Sequence, residues 1–274
     1  MDYFTNLFTK TEEIIQSKYI LDRDDKNQYF RCEPDVCKNV KYEIWIPGAA
    51  GLTPFLLGIC KIIQDNFQKE LDKSIIIGSS GGSFCALNLR LAIPCDDAFE
   101  CGLLKFIESI KKSFMNKSLY FTDNLGASYL NYITLKKDMI PLDKLKNKYF
   151  INASCYKTSK NYLINTFHSH EDLVDAMVSS CLLPGLHTSI TKKLDDKHLR
   201  DGYFSDTPYL CKDLHRVDLS LTMFGEQWSF RDFLPNDCVK SNTALYQLGI
   251  TNATDNLDVL KKLFTITSNK ITSK

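Results

Sequence analysis

Residues 74–83 read Ser74-Ile75-Ile76-Ile77-Gly78-Ser79-Ser80-Gly81-Gly82-Ser83. Three consecutive isoleucines, β-branched and wholly apolar, make a short strand of the kind buried on both faces of a parallel sheet. A Gly/Ser cluster follows, and from about Gly82 to Leu91 the pattern is that of a helix. The same order occurs just upstream. Tyr42 to Ile46 is a strand-like run, Pro47 and Gly48 form a turn, and Phe55, Leu56, Ile59, Ile62, Ile63 and Phe67 make one apolar helical stripe. Strand, glycine turn and helix thus occur twice within about fifty residues. That order predicts an α/β fold with parallel strands joined by right-handed crossovers.

Working outward, a helix is expected over about 97–115, and residues 116–141 are less regular and read as a cap or loops. Tyr149–Tyr156 and Tyr162–Phe167 read as two strands joined by polar residues, which predicts a hairpin. Glu171–Ser180 reads as a helix, 215–224 as a further strand, and 241–264 as holding at least one helix. On the N-terminal side, Phe4, Leu7, Phe8, Thr11, Ile14 and Ile15 fall at helical spacing, and residues 22–40 are polar and contain Pro34. Residues 1–40 are therefore expected to be a helix and linker packed on one domain spanning 41–274. No internal repeat and no low-complexity segment interrupts that domain.

Composition narrows the function classes. The chain has 274 residues, 44% hydrophobic and 24% charged, enough to bury a core without staples. With 34 basic and 33 acidic residues the net charge is +1, which offers no electrostatic footprint for nucleic acid. No apolar run approaches the roughly 18–20 residues that span a bilayer. The opening MDYFTNLFTKTEE lacks the basic and apolar regions of a signal peptide. A cytoplasmic location, peripheral at membranes, is the expectation. The ten cysteines are scattered without a CxxC pair, so neither a zinc ribbon nor a redox motif is written here, and reduced thiols are expected.

The chemistry centres on Gly78-Ser79-Ser80-Gly81-Gly82, a G-x-S-x-G between a strand and a helix. A sharp turn there presents the Ser80 hydroxyl at the top of the sheet, and the helix N-terminus behind it favours negative charge. The alternative is a Gly/Ser turn without chemistry. Such a serine needs an oxyanion hole and a base. Gly48-Ala49-Ala50-Gly51, after the first strand, supplies small residues and free backbone donors at a helix start. It lacks both G-K-[ST] and G-x-G-x-x-G, so a phosphate loop fits poorly. Asp201-Gly202 reads alone as a turn, but beside the other two segments it is a candidate base.

These segments, in this order, resemble the patatin-like phospholipase family. The family pattern is a glycine-rich oxyanion loop, then G-x-S-x-G, then an aspartate in D-G-[GA]; here the order is GAAGLT at 48–53, GSSGG at 78–82 and DGY at 201–203. Val178–Gly185 looks like the family's small-residue helix end and proline turn, and Gly58 falls where the family places a glycine of its first helix. The resemblance covers about residues 41–210. It implies a three-layer α/β/α sandwich with a central, mostly parallel sheet. It also implies a Ser–Asp dyad: Ser80 attacks an ester carbonyl, Asp201 takes its proton, and N–H groups near Gly48, Ala49, Ala50 and Gly51 hold the oxyanion. An acyl-enzyme is then hydrolysed, with no cofactor and no metal. The sequence departs at Ala49 and Ala50, where the family has glycines, at Leu52, where many relatives are basic, and at Tyr203, where glycine or alanine is usual. Alanine resists positive φ, so the loop geometry is expected to be constrained, and Tyr203 is expected to add bulk beside the base.

Two other readings stand beside the lipid acyl hydrolase. One is a catalytically weak or inactive lipid- or partner-binding protein on the same fold. The other is an α/β-hydrolase triad of Ser80, Asp201 and His215, the histidine that follows the aspartate in chain order. His168, His170, His187 and His198 read as surface or satisfied polar residues, with His187 and His198 also able to line a pocket. The expected partner is a lipid substrate at a membrane or lipid interface. The contact candidates are the N-terminal stripe and the group Phe114, Met115, Leu119, Tyr120 and Phe121.

Overall fold

The computed structural model describes residues 20–22, 39–115, 123–194, 197–205, 210 and 214–266. Among them are eight strands: β1 (Ile20–Asp22), β2 (Tyr42–Ile46), β3 (Ser74–Ser79), β4 (Tyr149–Cys155), β5 (Asn161–Ile164), β6 (Lys192–Leu194), β7 (Lys197–Asp201) and β8 (His215–Asp218). Every residue of β2, β3 and β4 is buried, including the polar residues Glu43, Asn152 and Ser154. These three strands and β8 lie parallel, in the order β4-β3-β2-β8.

The remaining pairs are antiparallel. β4 and β5 form the expected hairpin, β1 adds to β5, and β7 pairs with both β4 and β6. The sheet is therefore mixed rather than mostly parallel. A short turn joins β4 to β5 and gives an antiparallel pair, whereas the helix His170–Ser179 lies between β5 and the β6–β7 pair. One face carries the main core, to which helices contribute. The other holds a smaller cluster of Trp45, Ile75, Ile77, Phe150 and Leu163 with Val40 and Leu210. No residue of a described helix belongs to that smaller cluster, so the third layer is not seen among the described residues.

The helices are α1 (Thr53–Asn66), α2 (Gln68–Asp72), α3 (Gly81–Leu91), α4 (Cys95–Asp97), α5 (Leu104–Met115), α6 (Leu125–Leu135), α7 (His170–Ser179), α8 (Val239–Asp255) and α9 (Leu257–Phe264). A π-helical stretch, Ala98–Leu103, joins α4 to α5. Gly58 of α1 lies against α8, where a Cβ would stand 2.3 Å from the Tyr246 carbonyl. That glycine lets the two backbones meet. No helix of the described residues is long and apolar enough to cross a membrane.

Three expectations change. Residues 125–135 are helix α6, not loop, and they bury Leu125, Tyr129, Tyr132 and Ile133 on one face. The strand expected over 215–224 ends at Asp218, and the chain then turns. Ile20–Asp22 is a sheet strand rather than part of a helix and linker. The rest of the N-terminal stripe, with Leu119, Tyr120 and Phe121, lies outside the described residues, as do Cys32, Cys37 and Cys211. The seven described cysteines are free thiols.

A charge is buried in the parallel centre of the sheet. Glu43 of β2 is fully buried, pairs with Arg216 of β8, and accepts the Leu210 N–H at 3.0 Å. Arg216→Met is expected to destabilise the fold by about 3 kcal/mol, because it strands a buried carboxylate. Chemical denaturation should show that loss, and adding Glu43→Met should recover most of it.

Candidate active site

Ser80 occupies the one residue between β3 and α3, with φ 51° and ψ −132°. That conformation is strained for an L-residue, at a cost on the order of 1–3 kcal/mol, and persists only where the surroundings enforce it. Here they do. The Ser80 N–H donates to Ser180 Oγ at 2.7 Å, and Ser180 Oγ donates onward to the Asn152 carbonyl at 2.5 Å. On the other side, Ser83 donates to the Ser80 carbonyl through both its N–H and its hydroxyl, at 2.9 and 2.6 Å. The elbow glycines are demanded by close approach. A Cβ on Gly82 would lie 2.2 Å from the Pro47 carbonyl, and one on Gly78 would lie 2.5 Å from the Gly82 carbonyl. Gly81 sits against the Thr53 side chain.

Asp201 reaches this serine through the sheet. Strand β4 pairs with β3 as far as Ser79↔Asn152, and the next residue, Ala153, pairs with Asp201. Strand β7 therefore enters antiparallel where β3 leaves off, and its last residue arrives beside the elbow. The segment after α7 ties the two together. Ser180 holds the Ser80 N–H, its carbonyl accepts the Gly202 N–H at 3.4 Å, and the Leu182 carbonyl accepts the Asp201 N–H at 3.2 Å. Asn152 Nδ2 bridges Ser79 Oγ and the Gly202 carbonyl at 3.4 and 3.3 Å. Gly202 has no room for a side chain, since a Cβ would lie 2.2 Å from Ser79 Oγ.

The Asp201 carboxyl is 1% exposed. Burial pushes its pKa up from 3.8 to about 6, against the opposite pulls of the Tyr203 N–H and the Ser80 side chain. Oδ1 accepts the Tyr203 N–H at 2.8 Å, whereas Oδ2 is buried without a full hydrogen bond. The Ser80 side chain acts on the carboxyl, lowering its pKa, while Oδ2 makes no hydrogen bond of full geometry. Such looseness is usual for a catalytic pair before substrate arrives. Near neutral pH the carboxylate is charged and still basic enough to take a proton. The Tyr203 side chain is 79% exposed, so it projects into solvent rather than crowding the base.

The oxyanion segment divides. Gly48 packs behind Ser80, where a Cβ would stand 3.1 Å from Ser80 Cβ. Ala49 is buried and does not line the cleft. Ala50 and Gly51 line it, and they open a 3-10 turn, Ala50–Leu52, whose first N–H groups have no partner within the turn. Ala50 takes φ 44°, the conformation that alanine resists, and its carbonyl accepts the Thr53 hydroxyl at 2.7 Å. The departure from glycine is thus absorbed as local strain of about 1–2 kcal/mol, with the turn intact. Leu52 is core and does not face the cleft. Gly81, first residue of α3, adds a third N–H at the rim.

The cleft in front of Ser80 has a volume of about 670 Å³, its open mouth included. Phe106, Ile107 and Ile110 of α5 line it with Leu125, Leu183 and Leu186. Beside the serine lies the Cys181 thiol, which burial and the Asp201 charge push up to about 12, so it stays protonated. Asn242 closes another part of the wall, its Nδ2 donating to the carbonyls of Asn236 and Cys238, both at 2.9 Å.

His215 does not join the site. It pairs with Tyr42 at the N-terminal ends of the parallel strands, whereas Ser80 lies past their C-terminal ends. Its Nε2 is held 2.6 Å from the Leu263 carbonyl. The triad with His215 is therefore excluded by topology. His170 bonds the Ile140 carbonyl at 3.0 Å, also away from the cleft. Asn152, Ser180, Cys181 and His187 are site residues that the motifs did not assign. A lone amide in the apolar strand Tyr149–Cys155 is a signal that singles out Asn152. No known family profile matches this sequence, and no curated protein matches it either.

Proposed function

We propose that this chain is a serine hydrolase of the patatin-like type, acting on carboxylic esters of lipids, with Ser80 as nucleophile and Asp201 as base. The observation that carries the reading is a strained, elbow-held Ser80 that lines an apolar cleft and has a buried carboxyl, Asp201, acting on its side chain from behind the cleft wall. A binding protein has no use for that strain, whereas a nucleophile held clear of its own backbone does.

In this mechanism the acyl chain of the substrate lies along Phe106, Ile107 and Ile110. Ser80 Oγ attacks the ester carbonyl carbon while its proton passes to Asp201. The tetrahedral oxyanion accepts hydrogen bonds from the N–H groups of Ala50, Gly51 and Gly81. Collapse breaks the bond to the alcohol, which leaves with the proton from Asp201. Water, deprotonated by Asp201, then attacks the acyl-enzyme, and the proton returns to Ser80 as the fatty acid departs.

The test is reaction with a fluorophosphonate probe, followed by mapping of the modified residue by mass spectrometry. Modification at Ser80 is expected. A folded chain that stays unmodified would overturn the enzyme in favour of the binding protein.

A further inference from the structure

His187 lines the same cleft as Ser80 and is 6% exposed. Neither of its ring nitrogens makes a hydrogen bond among the described residues. The Leu183 carbonyl and Asp123 act on the ring, yet burial outweighs both and lowers its pKa, which leaves the imidazole neutral near pH 7. A neutral imidazole carries one donor and one acceptor. The backbone next to the ring is anchored: the Thr188 N–H donates to Asp123 Oδ1 at 2.8 Å, and the Thr188 hydroxyl donates to Oδ2. A buried polar ring lining a cleft, with neither nitrogen in a hydrogen bond of full geometry, is an unusual arrangement, since burying such groups unsatisfied is costly.

The chemistry of the partner follows by elimination, and it rests on the hydrolase reading. The ester carbonyl oxygen belongs to the oxyanion donors. The acyl chain has no polar atom. The oxygen left to meet His187 is therefore on the alcohol portion. None of the described residues lining the cleft is Lys, Arg, Asp or Glu, so a phosphate there would be desolvated without a counter-charge. We propose that His187 recognises the substrate by hydrogen-bonding an uncharged hydroxyl on the alcohol portion of the ester.

The experiment compares two uncharged esters with the same acyl chain, monooctanoylglycerol and methyl octanoate, which differ in the hydroxyls of the alcohol. Wild type is expected to favour the glyceride by roughly 10-fold or more in kcat/KM, the effect of one hydrogen bond to an otherwise unsatisfied buried group. His187→Phe should collapse that ratio, and His187→Gln, which keeps a donor and an acceptor, should restore part of it. The ratio is the readout, because a merely structural role lowers both rates together. If His187→Phe does not fold, His187→Leu takes its place. A wild-type ratio near one, or a ratio unmoved by the substitution, would overturn the inference while leaving the hydrolase intact. Failure to hydrolyse either ester, together with failure of the fluorophosphonate to modify Ser80, would instead overturn the hydrolase reading.

Discussion

Ser80→Ala is expected to lower ester hydrolysis by roughly 10⁴-fold or more, the loss typical when a nucleophile that acts as a unit with its base is removed. The effect should fall on kcat, because the cleft walls that bind the acyl chain are untouched. The hydrogen bonds that hold the elbow run through the backbone of residue 80 and survive the change. Thermal melting should therefore move by less than about 1 kcal/mol. Hydrolysis of octanoate esters under saturating substrate, paired with a melting curve, checks both halves. A Ser80→Ala protein that keeps its activity would end the dyad mechanism.

Asp201→Asn should separate activity from stability with opposite signs. Losing the base is expected to cost about 10³- to 10⁴-fold in turnover. In wild type, kcat/KM should rise with pH through about 6, as the Asp201 carboxyl releases its proton and becomes the base. Stability runs the other way. Between 3.8 and about 6 the folded chain retains a proton that the unfolded chain has released, so folding stability falls as pH rises through that interval. Above it, the burial of the charged carboxylate costs about 3 kcal/mol. An asparagine carries no charge, and its carbonyl still accepts the Tyr203 N–H. Asp201→Asn should therefore melt higher than wild type at pH 7.5, and the difference should vanish near pH 3.5. Equal melting points at both pH values would show that Asp201 is not the buried, proton-holding group described above.

The parallel centre of the sheet was legible because Ile75–Ile77 have no face to give to water, and the glycines around Ser80 mark backbone contacts that exclude a Cβ, whereas buried Glu43 in Tyr42–Ile46 was not foreseeable. The order Gly48, Ser80, Asp201 could be read from spacing. The means by which Asp201 arrives could not. Strand β7 reads Lys-His-Leu-Arg-Asp, half-exposed and without a run of β-formers, and only its register on β4 carries it to the elbow. Helix α6 was hidden because Gly126 and several β-branched and aromatic residues depress helix propensity, while packing of Tyr129 and Tyr132 against Phe84 overrides it. By sequence His187 reads at most as able to line a pocket, and it does line the cleft; what it meets there no local pattern encodes. Tyr203 shows the converse, a bulky residue only two positions from Asp201 whose ring lies in solvent.

The bond from the Ser80 N–H to Ser180 also has a kinetic meaning. It closes a loop of 100 residues, and the strain at the elbow is offset only once that loop is shut. Contacts so distant in sequence form late, because their closure entropy is spent before any stabilisation returns. A chain emerging from synthesis, or refolding from denaturant, holds its serine long before it holds a nucleophile. In refolding experiments, reactivity toward a fluorophosphonate should reappear no sooner than the slowest recovery of Trp45 and Trp228 fluorescence. On the proposed hydrolase reading, activity stays silent until the second half of the chain has folded onto the first.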